Sequence, residues 1–129
     1  MADPDADTVS GFAERLGARA EEADDGRARI RFEAREEHLN PAGTLHGGVL
    51  ATLVDTAMGL AVRSATGDDD VPATSQLTVT YLRPGKPGPL EVTAQVRTKG
   101  EHLTVCDADV EQEGRALVHA VATFALLHG

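Results

Sequence analysis

Residues 47–62 read GGVLATLVDTAMGLAV, a glycine pair followed by an apolar run whose only charged residue is Asp55. At about 100° per residue, the large apolar side chains spread over half of a helix; they are Val49, Leu50, Leu53, Val54, Met58 and Leu60. The opposite side holds small residues around Asp55, where a solvent-facing helix would show lysine, glutamate and arginine. The segment therefore predicts one helix from about Gly47 to Val62, covered on one side by a sheet and on the other by a further surface.

Alternating apolar and polar residues predict strands on both sides of this helix. Residues 27–34, RARIRFEA, alternate strictly, and Asp25-Gly26 is a hairpin dipeptide that would connect them to a preceding strand at residues 18–23. Four more alternating runs follow the helix; they begin at Ser75, Leu90, Leu103 and Ala116. The links between them, RPGKPGP, KGE and EQEGR, are short and turn-rich, so each of these strands is expected to pair with the next as an antiparallel neighbour.

These strands have one apolar face, which needs a cover, and the long helix is the candidate for it. The predicted fold class is α+β, with one long central helix wrapped by a curved antiparallel β-sheet of five to six strands. A short helix is also expected at residues 9–16. The chain length suits one domain, residues 1–129, in which the acidic residues 1–8 are expected to fray.

The composition argues against several classes of partner. Twelve basic and 21 acidic residues give a formal net charge of −9, a field that repels nucleic acid and anionic membranes. The single cysteine, Cys106, has no intramolecular disulfide partner, and the N-terminus has neither the basic nor the apolar region of a signal peptide. We therefore expect a cytoplasmic protein that binds neither nucleic acid nor membrane. No His, Cys and acidic residues have metal-ligand spacing, so neither a metal nor another cofactor is predicted.

The loop before the helix and the acid within it each have a structural and a chemical interpretation. The polar residues of the loop would cap the helix; they are Asn40, Thr44 and His46. Alternatively, the N–H groups of Gly47-Gly48, at the positive end of the helix dipole, suit a carbonyl oxygen that acquires negative charge. Because a buried carboxylate without a partner is costly, Asp55 is either bonded to a neighbouring strand or kept as a base or nucleophile.

The pattern N-P-x-G-x-x-H-G-G from Asn40 to Gly48, with Asp55 eight residues after the first glycine of the pair, resembles the hotdog-fold thioesterases of the phenylacetate-degradation branch. The resemblance extends from Glu37 to the C-terminus and includes TSQLTVTYLRPGKPG after the helix. It implies hydrolysis of an acyl-CoA, with an aryl or a short- or medium-chain acyl group, to free acid and CoA. It also implies a homodimer with two interfacial sites as the minimal active unit, commonly doubled to a homotetramer.

The same resemblance assigns catalytic roles to individual residues. Asp55 would be the catalytic carboxylate, and the N–H of Gly47 would be the main donor to the oxyanion. Asn40 would help to hold the thioester carbonyl or the attacking water, and His46 would orient the same region.

Further residues are implied around this group. Thr74 would come from the neighbouring subunit and help to place the carboxylate or the water, with the adjacent Ser75 as the alternative under a one-residue shift. Gly48, with the second N–H of the glycine pair, would contact the substrate. Arg83 and Lys86 are cations beside a glycine-rich turn, where they would either bind the phosphates of CoA or serve as ordinary surface charge.

Two other functions compete with hydrolysis. A hotdog dehydratase acting on hydroxyacyl thioesters would use the same fold, but its histidine base lies in a loop pattern that this sequence lacks. A non-catalytic acyl-CoA-binding module would not need Asp55. The sequence leaves open whether Asp55 is a general base or a nucleophile, which acyl group is accepted, and whether the thiol is CoA or a carrier protein.

Overall fold

A computed structural model of the chain describes residues 10–67 and 70–128. Its helices are α1 (Gly11–Leu16) and α2 (Gly47–Ala65). Its strands are β1 (Arg19–Asp24), β2 (Arg27–Ala34), β3 (Asp70–Tyr81), β4 (Gly88–Lys99), β5 (Leu103–Gln112) and β6 (Arg115–His128). The strands form one antiparallel sheet in the order β1-β2-β4-β5-β6-β3. This confirms the predicted α+β class, and the six strands lie within the predicted five to six. Residues 1–8, expected to fray, lie outside the described ranges.

The hairpin between β1 and β2 forms where the sequence predicts it. Asp25 and Gly26 both have positive φ, 50° and 78°, as a two-residue hairpin turn of type I′ requires. The Gly26 N–H donates to Ser64 Oγ at 2.9 Å, and its carbonyl accepts from the Val96 N–H at 2.8 Å. The turn is thereby attached to the end of α2 and to β4, so this edge of the sheet is fixed against the helix.

Helix α2 lies across the apolar face of the sheet, as predicted, and extends to Ala65. Its buried side chains face the strands; they are Leu50, Leu53, Val54, Ala57, Met58, Leu60, Ala61 and Val62. The helix is long and apolar enough to cross a membrane by length and composition, yet these residues pack against the chain's own sheet. The side that carries Asp55 is only partly exposed, because it lies beside β3.

The position of β3 differs from the prediction that consecutive strands pair. β3 pairs with β6 at the edge of the sheet, and β5 and β6 lie between β3 and β4. The link at residues 82–87 crosses the ends of these two strands: the Leu82 N–H donates to the Leu117 carbonyl at 2.7 Å, and the Lys86 N–H to Gln112 Oε1 at 3.1 Å. Its prolines have no N–H for a hairpin ladder. Alternation fixes which face of a strand is buried, but it does not fix the neighbouring strand.

Replacing Gly26 with alanine is expected to lower the free energy of unfolding by about 1–2 kcal/mol, because an L side chain is strained at positive φ. The matched control is Gly11→Ala, since a Cβ at Gly11 meets no atom within 4 Å. Urea unfolding followed by circular dichroism measures both variants. Equal midpoints for the two would contradict the assigned turn.

Candidate active site

The loop before α2 is held by the side chain of Asn40. Asn40 Oδ1 accepts from the N–H groups of Ala42 at 3.0 Å and Thr44 at 3.2 Å, and Nδ2 donates to Thr44 Oγ1 at 3.0 Å. A further bond joins the Leu45 N–H to the Gly85 carbonyl at 3.1 Å. Asn40 therefore shapes the loop through its own hydrogen bonds, and it also lines an open cleft of about 320 Å³ at the start of the helix.

His46 caps the N-terminus of α2, as the structural interpretation of the loop predicts. Its Nδ1 accepts a hydrogen bond from the Gly48 N–H at 2.9 Å, and its side chain is exposed. Because Nδ1 is an acceptor, the proton of the neutral ring is on Nε2, which leaves that N–H as an exposed donor. The N–H of Gly48 is occupied by this bond, so it is not free to donate a hydrogen bond to a substrate.

The N–H of Gly47 is the donor that the helix start leaves open. The carbonyl of His46 accepts from the N–H groups of Val49 at 3.0 Å and Leu50 at 3.4 Å, which begins the helical pattern. The first N–H groups of a helix have no intrahelical partner. Within residues 10–67 and 70–128, no protein group accepts a hydrogen bond from the Gly47 N–H. An oxyanion placed there would gain a hydrogen bond and the positive end of the helix dipole.

Tyr81 covers Gly47 from the end of β3, and the sequence reasoning missed it. The Tyr81 hydroxyl donates to the Gly47 carbonyl at 2.7 Å. A Cβ on Gly47 would lie 3.2 Å from the Tyr81 hydroxyl oxygen, so a side chain here would push the ring away by a few tenths of an ångström. Tyr81 is 51% exposed and lines the same cleft as Asn40 and Leu50. Only the pairing of β3 with β6 brings it there, and no signal in the sequence indicated that pairing.

Asp55 is bound by Thr74 in the middle of the helix. The Thr74 hydroxyl donates to Asp55 Oδ1 at 2.7 Å within one chain, so this contact forms without a neighbouring subunit. Ser75, the alternative, donates instead to the Thr123 carbonyl at 3.1 Å. The register of β3 shifts between Thr74 and Gln76, and this bulge separates the two hydroxyl groups.

Gly47 and Asp55 are separated along the helix. Eight residues at 1.5 Å per residue place them about 12 Å apart along the axis. A carbonyl oxygen bound at Gly47 is therefore out of reach of the Asp55 carboxylate of the same chain. Each chain presents a donor half at the N-terminus of α2 and a carboxylate half in its middle.

The two predicted cations lie beside the donor half. Arg83 Nη1 donates to the Ala116 carbonyl at 2.8 Å, and Lys86 Nζ lies 3.2 Å from Glu113 Oε2. With Arg115, which the sequence reasoning did not single out, they line a second cleft of about 370 Å³. Arg83 lines both clefts, so the cationic cleft adjoins the one at Gly47.

Cys106 is a buried thiol and not part of the candidate site. Its Sγ lies 3.8 Å from the Ala122 carbonyl. Burial, with the negative charges of Asp107 and Asp55 acting in the same direction, raises the pKa of the Cys106 thiol to about 12. A thiol with this pKa is almost entirely protonated at neutral pH, so Cys106 packs as a small buried apolar side chain.

Comparison with known proteins agrees with this fold. A family model described as the thioesterase superfamily matches residues 42–119. Acyl-coenzyme A thioesterase 13 from Homo sapiens is 34% identical over 87 residues, 66% of this chain and 61% of that protein. The structure of the E. coli PaaI protein from the phenylacetic acid degradation operon has a TM-score of 0.86 and 30% identity, and the match covers 93% of this chain and 86% of that one. A hypothetical thioesterase from Streptococcus pneumoniae, solved with coenzyme A, has a TM-score of 0.80 and 30% identity, covering 87% and 90%.

The chain belongs to the thioesterase superfamily, because the family model matches more than half of it. The predicted hotdog fold and family are thereby confirmed. The chain spans 66%, 61% and 56% of the length of the first three curated relatives that it matches.

At pH 8, native Cys106 is expected to react with a disulfide reagent at least about a hundredfold more slowly than in the urea-unfolded chain, because its thiolate is scarce. Absorbance of the released chromophore measures both rates, with Cys106→Ala as the blank. Above about pH 8.5 the unfolded chain loses this proton and the folded chain keeps it, so stability should fall as pH rises toward 12. Similar native and unfolded rates would contradict the burial.

Proposed function

We propose that this protein is an acyl-CoA thioesterase, which hydrolyses the thioester to a free acid and CoA. The observation that carries the proposal is the pairing of two features: the open N–H of Gly47 at the start of α2, and the Thr74-bound carboxylate of Asp55 further along the same helix. The first suits a developing oxyanion, and the second suits a base or nucleophile. The acyl-coenzyme A thioesterase named among the relatives, and the relative solved with coenzyme A, support CoA as the thiol.

In the proposed reaction the thioester carbonyl oxygen accepts a hydrogen bond from the Gly47 N–H. Asp55 either removes a proton from water as the water attacks the carbonyl carbon, or attacks it directly to form an anhydride that water then hydrolyses. The carbon–sulfur bond breaks, the thiolate of CoA leaves and takes up a proton, and the acid is released. Thr74 holds Oδ1 of Asp55, which leaves Oδ2 for the reacting partner.

This reaction needs a second copy of the chain. Since about 12 Å of helix separates Gly47 from Asp55, a two-fold axis with antiparallel α2 helices would bring Gly47 of one protomer to Asp55 of the other. Strand β3 is the edge strand that would lie at such an interface. We propose a homodimer with two equivalent sites.

A homotetramer would follow if the outer face of the sheet also associates. That face has exposed apolar side chains on β3, β5 and β6; they are Val71, Leu103, Val121 and Leu127. Exposed apolar side chains that lie together on a sheet favour association.

The cleft beside Gly47 gives the CoA moiety a place to bind. Arg83, Lys86 and Arg115 concentrate positive charge in the second cleft that adjoins it, on a chain whose net charge is −9. Phosphate groups of CoA would replace Glu113 as the partner of Lys86. The acyl chain would then extend from the Gly47 end of the cleft toward the dimer interface.

Replacing Asp55 with alanine is expected to lower kcat by roughly 10²- to 10⁴-fold, the usual contribution of a positioned acid–base group. Thr74→Val should lower kcat by roughly tenfold or more, because it removes a hydrogen bond to a charged group. Ser75→Ala is the matched control and should change kcat less than about twofold, since Ser75 bonds only to a backbone carbonyl.

Release of free thiol from a panel of acyl-CoAs measures all three variants. Wild-type release no greater than that of Asp55→Ala would refute hydrolysis. Binding of acyl-CoA without release would favour the non-catalytic module, and loss of water from hydroxyacyl-CoA would favour the dehydratase.

A further inference from the structure

Gly47 is flanked by two peptide groups whose polar atoms are almost all occupied. In the first, the His46 carbonyl accepts from the start of the helix, and in the second the Gly48 N–H donates to His46 Nδ1. The carbonyl of the second group, that of Gly47, accepts from the Tyr81 hydroxyl at 2.7 Å. Within the described ranges, the Gly47 N–H is the one group of these two peptides that no protein atom holds.

Tyr81 differs from the other partners of these peptides because it comes from a distant part of the chain. The bonds to the His46 carbonyl and from the Gly48 N–H join residues 46–50, whereas Tyr81 is 34 residues from Gly47 and ends an edge strand. The same strand carries Thr74, which holds Asp55. Strand β3 therefore contacts both reactive positions of α2, and its register sets both contacts together.

The ring of Tyr81 also forms part of the cleft wall. Half of its surface is exposed although its hydroxyl is bonded, and the ring lies against Gly47, where an added Cβ would come within 3.2 Å of the hydroxyl oxygen. A ligand whose carbonyl oxygen reached the Gly47 N–H would lie alongside Tyr81, because the two residues line the same cleft. The hydroxyl therefore holds the backbone at Gly47, whereas the ring would contact a ligand in the cleft.

We propose that Tyr81 is a positioning residue of the thioesterase reaction: its hydroxyl fixes the Gly47–Gly48 peptide, which aims the Gly47 N–H at the oxyanion, and its ring is a wall for the thioester chain. This rests on the proposed function. Because the hydroxyl acts on the donor and the ring acts on the ligand, removal of the hydroxyl alone affects turnover more than substrate binding.

Tyr81→Phe, which keeps the ring, is expected to lower kcat roughly tenfold while KM and the melting temperature stay close to the wild-type values. Tyr81→Ala should lower kcat and also raise KM, since it removes the wall. The control is Thr78→Val. Thr78 lies on the same strand, and its backbone pairs with that of Val121 on β6. Wild-type kcat in Tyr81→Phe would overturn the positioning role, as would a loss of kcat that only accompanies a lowered melting temperature.

A second readout follows the ring directly. The chain has one tyrosine and no tryptophan, so its tyrosine fluorescence reports Tyr81 alone. Titration with an S-alkyl pantetheine thioether, which has no adenine to absorb the excitation light, should change the emission. The dissociation constant from this titration should equal the inhibition constant of the thioether. A thioether that inhibits turnover and leaves the emission unchanged would contradict the proposed contact between the Tyr81 ring and the ligand.

Failure of the underlying function has a different signature. The wild-type protein would then release no thiol from any acyl-CoA. Failure of the present inference requires an active wild-type protein whose kcat Tyr81→Phe leaves unchanged, so the two failures are distinguishable.

Discussion

The rise of an α-helix separates the two positions proposed to react with the substrate. Gly47 opens α2 and Asp55 lies two turns further on, about 12 Å away along the axis, so one chain has both halves of the proposed hydrolytic site without a complete one. The small residues around Asp55 are consistent with the proposed dimer, because they would allow a second surface to approach the helix closely. In the proposed dimer, the single acid of this apolar helix would face a second chain across the interface.

Strand β3 is the element that connects the two halves. Thr74 orients the carboxylate and Tyr81 holds the backbone next to the oxyanion donor, and both lie on one side of a single edge strand. A bulge at Ser75 sets the register from which these contacts follow. Any shift of β3 along β6 would displace both contacts, so the sheet links the geometry at the Gly47 N–H to that of the Asp55 carboxylate.

Local sequence patterns predicted much of the fold and less of the site. The extent of α2, the Asp25-Gly26 turn and the buried faces of the strands follow from periodicity and turn chemistry, which depend on neighbouring residues. The placement of β3 beside β6 is a choice among sheet partners, and alternation contains no information about it. Tyr81 was missed for this reason, and the sequence did not predict that Thr74 and Asp55 of one chain are hydrogen-bonded. The resemblance in NPAGTLHGG named Asn40, His46 and Gly47, but only the hydrogen bonds separate the occupied Gly48 N–H from the open one of Gly47.

The most direct test of a shared site is complementation between two inactive variants. Asp55→Ala keeps the donor half intact, and Asn40→Ala disrupts the loop before Gly47 but keeps the carboxylate. The two chains are co-expressed with different affinity tags and purified by both tags in sequence, and thiol release from an acyl-CoA is then measured. If Asp55 and Gly47 act across the interface, the mixed dimer has one intact site of two and recovers about half of the wild-type activity, although neither parent is active. A mixed dimer no more active than its parents would contradict the account.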